Sequence, residues 1–230
     1  MAKGSFDYVI LRLPDVIGPR DSLIRFWLHQ MWLQFLCFTY PNQTSHQIPI
    51  QKHLFNKITS YVYVGDVARF VHFVLLDDDD VSSTRRCRND IVNVAFETGK
   101  SVQEFLSLMA RHVKSGFEQS LSFYSVDFYE KALDFDYPSV TKGAVDVSKM
   151  RDKYGFEASQ WDDVMKLSVE FYNRAYNDYP YELETTRKLF VEKFIRKNKT
   201  SNNKEYNEND LNKFLECFRI KKKVKSQIFF

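Results

Sequence analysis

Apolar positions along the chain fall into short continuous runs that alternate with longer stripes of helical period. Tyr8 to Leu13 is almost continuously apolar and only six residues long, which predicts a parallel strand buried on both faces. Pro14-Asp15 and Gly18-Pro19 halt it. A buried strand ending in such a loop before a helix is where open α/β sheets place their ligands. Asp21 to Phe38 then predicts a helix with a very wide apolar face, including Phe26, Trp27, Met31, Trp32 and Phe35. Arg25, His29, Gln30 and Gln34 interrupt it, so it falls short of the roughly 20 apolar residues of a membrane span and belongs in a core or an interface.

The stretch Thr39 to Lys57 reads as a loop, with Ile48-Pro-Ile50 as a short edge strand. Ser60 to Val64 predicts a strand. Gly65-Asp66 turns the chain into a helix over Val67 to Leu76, with Asp66 placed to cap it through backbone N–H groups. Ile91 to Ala95 is a further strand. Gly99-Lys100-Ser101 lacks the earlier glycine of a phosphate-binding loop, since Val94 stands there, and Ser101 to Glu104 has capping-box spacing instead. Leu121 to Tyr124 predicts a strand, Asp146 to Tyr154 a short helix closed by Gly155, and Ser159 to Asp162 the start of another helix. Val164, Leu167, Phe171, Tyr172 and Ala175 share a face of that helix. The four carboxylates Asp77 to Asp80 are consecutive, so they cannot converge on one metal ion.

Composition divides the 230 residues unevenly. Residues 181–230 hold 13 Lys/Arg against 7 Asp/Glu, while the rest hold 20 against 23, so a mildly acidic body carries a basic tail. Lys, Asn and Glu dominate 196–210, a composition poor in the apolar surface that offsets chain entropy. The expected domains are therefore a folded unit over 1–180 and a Lys/Asn-rich tail over 181–230, partly disordered and dispensable for folding. Within the tail, Leu211, Phe214, Leu215 and Phe218 form one amphipathic set. The run Arg219 to Lys225 offers a contact to nucleic acid or acidic lipid, weighed against a solvated tail. Cys37, Cys87 and Cys217 are odd in number and far apart, and Met1 to Ser5 is too short and polar for a signal peptide, so a reduced, cytoplasmic setting is expected.

Four segments share an order and spacing with one known family. Ile10 to Arg20 (ILRLPDVIGPR) resembles the "LRxxxVYGPR" segment of the extended short-chain dehydrogenase/reductases, the NAD-dependent epimerase/dehydratase family. Ser60 to Ala68 resembles its "xFIHVDDVA", Asp90 to Ala95 its "xxYNVG", and Asp146 to Phe156 its "DxSKAxxELGW". The resemblance runs from residue 6 to about 176 and matches the C-terminal half of the family. It implies an α/β fold made of the last strands of a Rossmann-like doubly wound parallel sheet plus the smaller C-terminal substrate-binding lobe. It also implies NAD or NADP as cofactor of the intact family and a small-molecule substrate.

By the same resemblance, Leu13, Pro14 and Val16 pass the nicotinamide end of the cofactor, while Asp15, Arg20 and Tyr61 lie on the substrate side. The family's Gly-rich turn, which lets the backbone approach the pyrophosphate, has no counterpart, because no two of the seven glycines lie within three residues of each other. None of the 13 tyrosines has a lysine four residues on, so the proton-exchanging Tyr-x-x-x-Lys pair is also missing and no catalytic residue is assigned. In the family these parts lie upstream of the opening strand. The expectation is that the chain binds no cofactor alone, and that Tyr8 to Leu13 is a late strand needing partners. Asp15 stands where sugar-nucleotide epimerases place an asparagine, and their diphosphate arginines have no counterpart here, which argues against a nucleotide-sugar substrate. Two other classes stay open: a non-catalytic RNA-binding role like that of the chloroplast stem-loop-binding proteins, and a scaffold role.

Overall fold

A computed structural model of the chain describes residues 7–76, 89–127, 143–196 and 208–225. The expected carboxylate run 77–80, the aromatic-rich stretch over 128–137 and most of the Lys/Asn-rich segment lie outside these residues. The described residues form an α/β structure with six short strands in three pairs, all parallel. β1 (Val9–Arg12) pairs with β5 (Asp90–Asn93), β2 (Asp15–Ile17) with β4 (Tyr61–Tyr63), and β3 (His46–Gln51) with β6 (Leu121–Val126). Parallel pairing requires long crossovers. These are supplied by α1 (Arg25–Thr39), α2 (Val64–Leu76) and α3 (Val102–Val113). The chain closes with α4 (Ser148–Asp152), α5 (Trp161–Asp178), α6 (Pro180–Phe190), a π-helical turn at Val191–Arg196, and α7 (Glu208–Lys225).

α1 is the centre of the larger core. Every residue from Phe26 to Leu36 is buried, which explains an apolar face wider than one side of a surface helix needs. The polar residues interrupting it are used internally. Gln30 donates to the Val169 carbonyl and to Asn173 of α5, Gln34 donates to Asn173 at 2.7 Å, and Tyr176 donates to Gln34 at 2.8 Å. No helix among the described residues is long and apolar enough to cross a membrane. A second, smaller core joins β1, β5, α2 and α4 through Val62, Phe70, Val92, Met150, Tyr154 and Phe156.

Three expectations need correction. The first is the burial of the opening strand on both faces. Among the described residues β1 pairs with β5 alone; Val9 and Leu11 turn to the smaller core, while Ile10 and its register partner Ile91 face outward at 47% and 38% exposure. The second is the boundary at residue 180. Leu183, Phe190, Phe194, Leu211, Phe214 and Leu215 all belong to the core built on α1, so α6 and α7 are part of the folded body. Tyr179-Pro180 marks only the turn from α5 to α6, with proline at the first helical position, where its missing N–H costs nothing. The third is the face of α5: Leu167 is exposed, and Met165, Val169 and Tyr176 are buried in its place.

Other local signals were read correctly. Ser101 accepts from the Glu104 N–H, and the Glu104 carboxylate accepts the Ser101 N–H at 2.7 Å, which is the capping box. Gly155 ends α4 at φ 63° while its N–H reaches the Arg151 carbonyl.

Candidate functional site

β2 and β4 run parallel and end together at Ile17 and Tyr63, and the chain leaves β2 through a constrained loop into α1. Gly18 has φ 128°, where a Cβ would sit 2.9 Å from both the Tyr63 ring and Val64 Cγ1, so only glycine fits. Arg20 and Ile24 also adopt positive φ, 62° and 61°. For Ile24, a β-branched residue, the left-handed conformation costs about 1–2 kcal/mol.

The surrounding contacts impose that geometry. The Tyr172 hydroxyl, from α5, donates to the Gly18 carbonyl at 3.1 Å and accepts the Asp21 N–H at 3.0 Å, holding both ends of the turn. Burial raises the pKa of this phenol, so it stays protonated and keeps donating. The Asp21 carboxylate accepts the N–H groups of Leu23 and Phe26, at 3.1 and 3.2 Å, and so serves the start of α1.

A cavity of about 170 Å3 opens at the carboxyl ends of β2 and β4, lined by Val16, Gly18, Arg20, Ser22, Arg25 and Val64 among others. Below it the Arg25 guanidinium lies between two acids, 2.9 Å from Asp15 and 3.5 Å from Asp21, with all three side chains at most 12% exposed. Burying one cation with two carboxylates leaves a net negative floor, while Arg20 supplies a positive rim. Among the described residues Arg20 forms no ion pair. Its guanidinium lies over the Tyr179 ring at 5.7 Å and donates to that hydroxyl at 3.2 Å.

The expected site residues are thus distributed in three ways. Val16 and Arg20 line the cavity together, and Asp15 lies beneath it, committed to Arg25. Leu13 is exposed and Pro14 half-buried on the kink between β1 and β2, and neither lines the cavity. Tyr61 does not line the cavity. It is fully buried, stacked on Phe105 at 5.3 Å and edge-on to Trp161 at 5.6 Å, with burial pushing its phenol up to about 12. Arg25 and Tyr172 were not anticipated. Arg25 could have been found from its i,i+4 spacing to Asp21, whereas Tyr172 carried no sequence signal distinguishing it from other core aromatics.

Two further carboxylates prove to be structural. Asp66 lies inside α2 and accepts from Arg69 at 2.5 Å and from the Ser159 N–H and hydroxyl at 2.9 and 2.7 Å. It clasps α2 to the segment before α5 rather than capping its own helix. Asp90 accepts from Lys149 of α4 and Lys153 just past its end, at 2.9 and 2.5 Å, and from the Tyr154 hydroxyl at 2.8 Å. These bonds, Lys149 first, hold its carboxyl well below the usual carboxylate range. No group of three or more His, Cys, Asp or Glu able to hold a metal exists among the described residues. Cys37 and Cys217 are free thiols. The side chains of the basic run 219–225 are outside the description.

No family model and no curated protein matches the chain. Solved structures with a similar arrangement include UDP-glucose 4-epimerase with UDP-glucose from Thermotoga maritima, at 19% identity and a TM-score of 0.47, covering 74% of this chain and 47% of that one. UDP-glucuronic acid 4-epimerase from Bacillus cereus in complex with NAD matches at 14% identity and a TM-score of 0.42, over 72% of this chain and 43% of that one. dTDP-glucose 4,6-dehydratase from Bacillus anthracis in complex with NAD matches at 11% identity and a TM-score of 0.44, over 76% and 47%. The chain spans less than half the length of each of these proteins.

Proposed function

We propose that this chain is the substrate-binding lobe of an NAD(P)-dependent epimerase, dehydratase or reductase of the extended short-chain type, contributing a substrate wall and no cofactor site of its own. The observation carrying this reading is the cavity at the carboxyl ends of the parallel pair β2–β4, the position where open α/β sheets hold ligands. The segments that resemble the family also meet in space: the β1–β2 stretch, β4 with α2, and β5 with α4 form one packed unit.

The chain's own groups then have defined work. Arg20 presents a guanidinium to an oxygen-rich substrate, and Val16 with Val64 forms the apolar side. Asp15 and Asp21 disfavour a diphosphate close to the floor, so the substrate is a neutral or singly charged small molecule rather than a nucleotide sugar. Hydride transfer needs a dinucleotide and a proton-exchanging pair, and the sequence supplies neither. The free edge of β1 and the outward faces of Ile10 and Ile91 support a reading in which a separate cofactor-binding layer completes the sheet.

Methyl NMR titration with a panel of free sugars, sugar monophosphates and nucleotide sugars tests the site. Shifts are expected at Val16, Ile17, Leu23 and Val64 for a free sugar, weaker for a monophosphate, and abolished by Val64→Phe. Tighter binding of nucleotide sugars, or shifts confined to other regions, would overturn it.

A further inference from the structure

A second cavity, of about 240 Å3, opens on the other side of the Gly18–Ile24 loop, between the start of α1, the last turns of α5 and the start of α6. Its walls are unlike those of the first. Trp27, Phe171, Tyr172 and Tyr179 surround it, and Ala175, one turn beyond Phe171 on α5, is the small residue that leaves the space open. The rings brace one another: Trp27 stacks on Tyr172 at 5.5 Å, Phe171 stands edge-on to Tyr172 at 5.1 Å, and Phe171 lies 5.6 Å from Tyr179. Trp27 and Tyr172 are buried and fixed, whereas Phe171 and Tyr179 are half-buried and border the opening.

Charge at the rim is asymmetric. Asp21 is occupied by two backbone N–H groups and Arg25. Arg20 forms no ion pair among the described residues; it is exposed, its guanidinium carbon lies 5.7 Å from the Tyr179 ring centroid, and one of its nitrogens donates to that hydroxyl at 3.2 Å. Ser22 adds an exposed hydroxyl beside it, and Glu182 stands exposed on the rim.

We propose that this cavity binds a planar aromatic carboxylate, its ring against Phe171, Trp27 and Tyr179 and its carboxylate on Arg20. Aromatic walls favour a flat ring through stacked and edge-on contacts. An arginine already held by Tyr179 offers a carboxylate its forked donors at a reduced entropic cost. Glu182 then sets polarity, turning the acid end toward Arg20. The proposal does not rest on the substrate-lobe reading: the two cavities share Arg20, Asp21 and Ser22, but the aromatic wall belongs to this one alone and Val16 and Val64 to the other alone.

Indole-3-acetate is the probe, with indole-3-acetamide as its neutral counterpart, followed by ligand-observed NMR on the full chain. The acid should bind about tenfold tighter than the amide. Arg20→Gln should bring the two within about threefold, and Glu182→Gln should tighten the acid alone. Ala175→Phe, which fills the cavity, should abolish binding of both. If that variant melts abnormally, Phe171→Ala at the half-buried rim should weaken both instead. Val64→Phe, on the other cavity, should change neither. Equal affinity for acid and amide, binding that survives Ala175→Phe or Phe171→Ala, or no binding of the acid at millimolar concentration would overturn the proposal.

Discussion

Phe214→Ala tests whether the C-terminal segment belongs to the folded body. Phe214 is 1% exposed on α7 and sits among Phe35 and Phe38 of α1 and Tyr176 of α5, with ring centroids 5.8, 5.7 and 6.4 Å away. Truncating a buried phenylalanine to alanine costs about 3–5 kcal/mol, because lost transfer energy is joined by the cavity left behind. In a chain of this size each kcal/mol lowers Tm by about 2–4 °C, so the expected drop is about 6–20 °C.

Detachment of α7 sets a ceiling on that figure. The helix holds Leu211, Phe214 and Leu215 in the core, each worth about 1.5–3 kcal/mol of burial before the ordering of the helix is subtracted. If α7 releases before the rest unfolds, calorimetry shows two transitions and limited proteolysis cuts near residue 208 first. If it does not, one transition moves as a whole. Lys213→Ala, one residue earlier on the exposed face, is the control and should shift Tm by less than about 2 °C. A Phe214→Ala protein melting within about 2 °C of the parent, with unchanged proteolysis, would refute the docking of α7 and restore the boundary near residue 180.

Three more outcomes follow from the same contacts. Asp90→Asn should destabilise the protein at neutral pH. The folded pKa of Asp90 lies below its unfolded value, so its contribution is full above about pH 4 and fades as pH falls further; the Tm gap between parent and variant should therefore narrow in acid melts. Arg25→Met removes the cation that lies between the buried carboxylates of Asp15 and Asp21 and should cost about 3 kcal/mol or more by denaturant unfolding, with part of the loss recovered when Asp15→Asn is added. Tyr61→Phe should leave ligand shifts at the β2–β4 cavity unchanged and alter stability by about 1 kcal/mol or less, because that ring is stacked in the core.

The sequence made most elements up to α5 readable, because strand and helix periods alternate and breaks are written in Pro14, Gly18, Ser101 and Gly155; β2 lay in a stretch read as a loop, and α6 in one read as tail. What it could not show was which face of a short strand is inside. In Tyr61-Val62-Tyr63-Val64 every position is apolar or aromatic in turn, so a period of two gives no register, and Tyr61 read as well outward as inward. The same ambiguity hid the single-sided pairing of β1, whose continuous apolar run matches two-sided burial in composition while, among the described residues, it pairs with β5 alone.

The C-terminal segment failed for another reason. The set Leu211, Phe214 and Leu215 was visible, but its partner is an α1 buried all round, and a stripe that wide does not reveal how many helices share it. At the candidate site, Arg20 and Val16 were found through a family-like segment. The tyrosine that shapes their loop lies about 150 residues away, at a distance no local pattern spans.

The central claim, that this lobe walls a substrate while leaving the cofactor to another module, is tested most directly by calorimetric titration of the chain with NADH. Leu13, Pro14 and Val16, which the family resemblance places at the nicotinamide end, would not replace a pyrophosphate turn and an adenosine pocket. The account predicts no saturable heat up to millimolar cofactor, and binding in the micromolar range would contradict it.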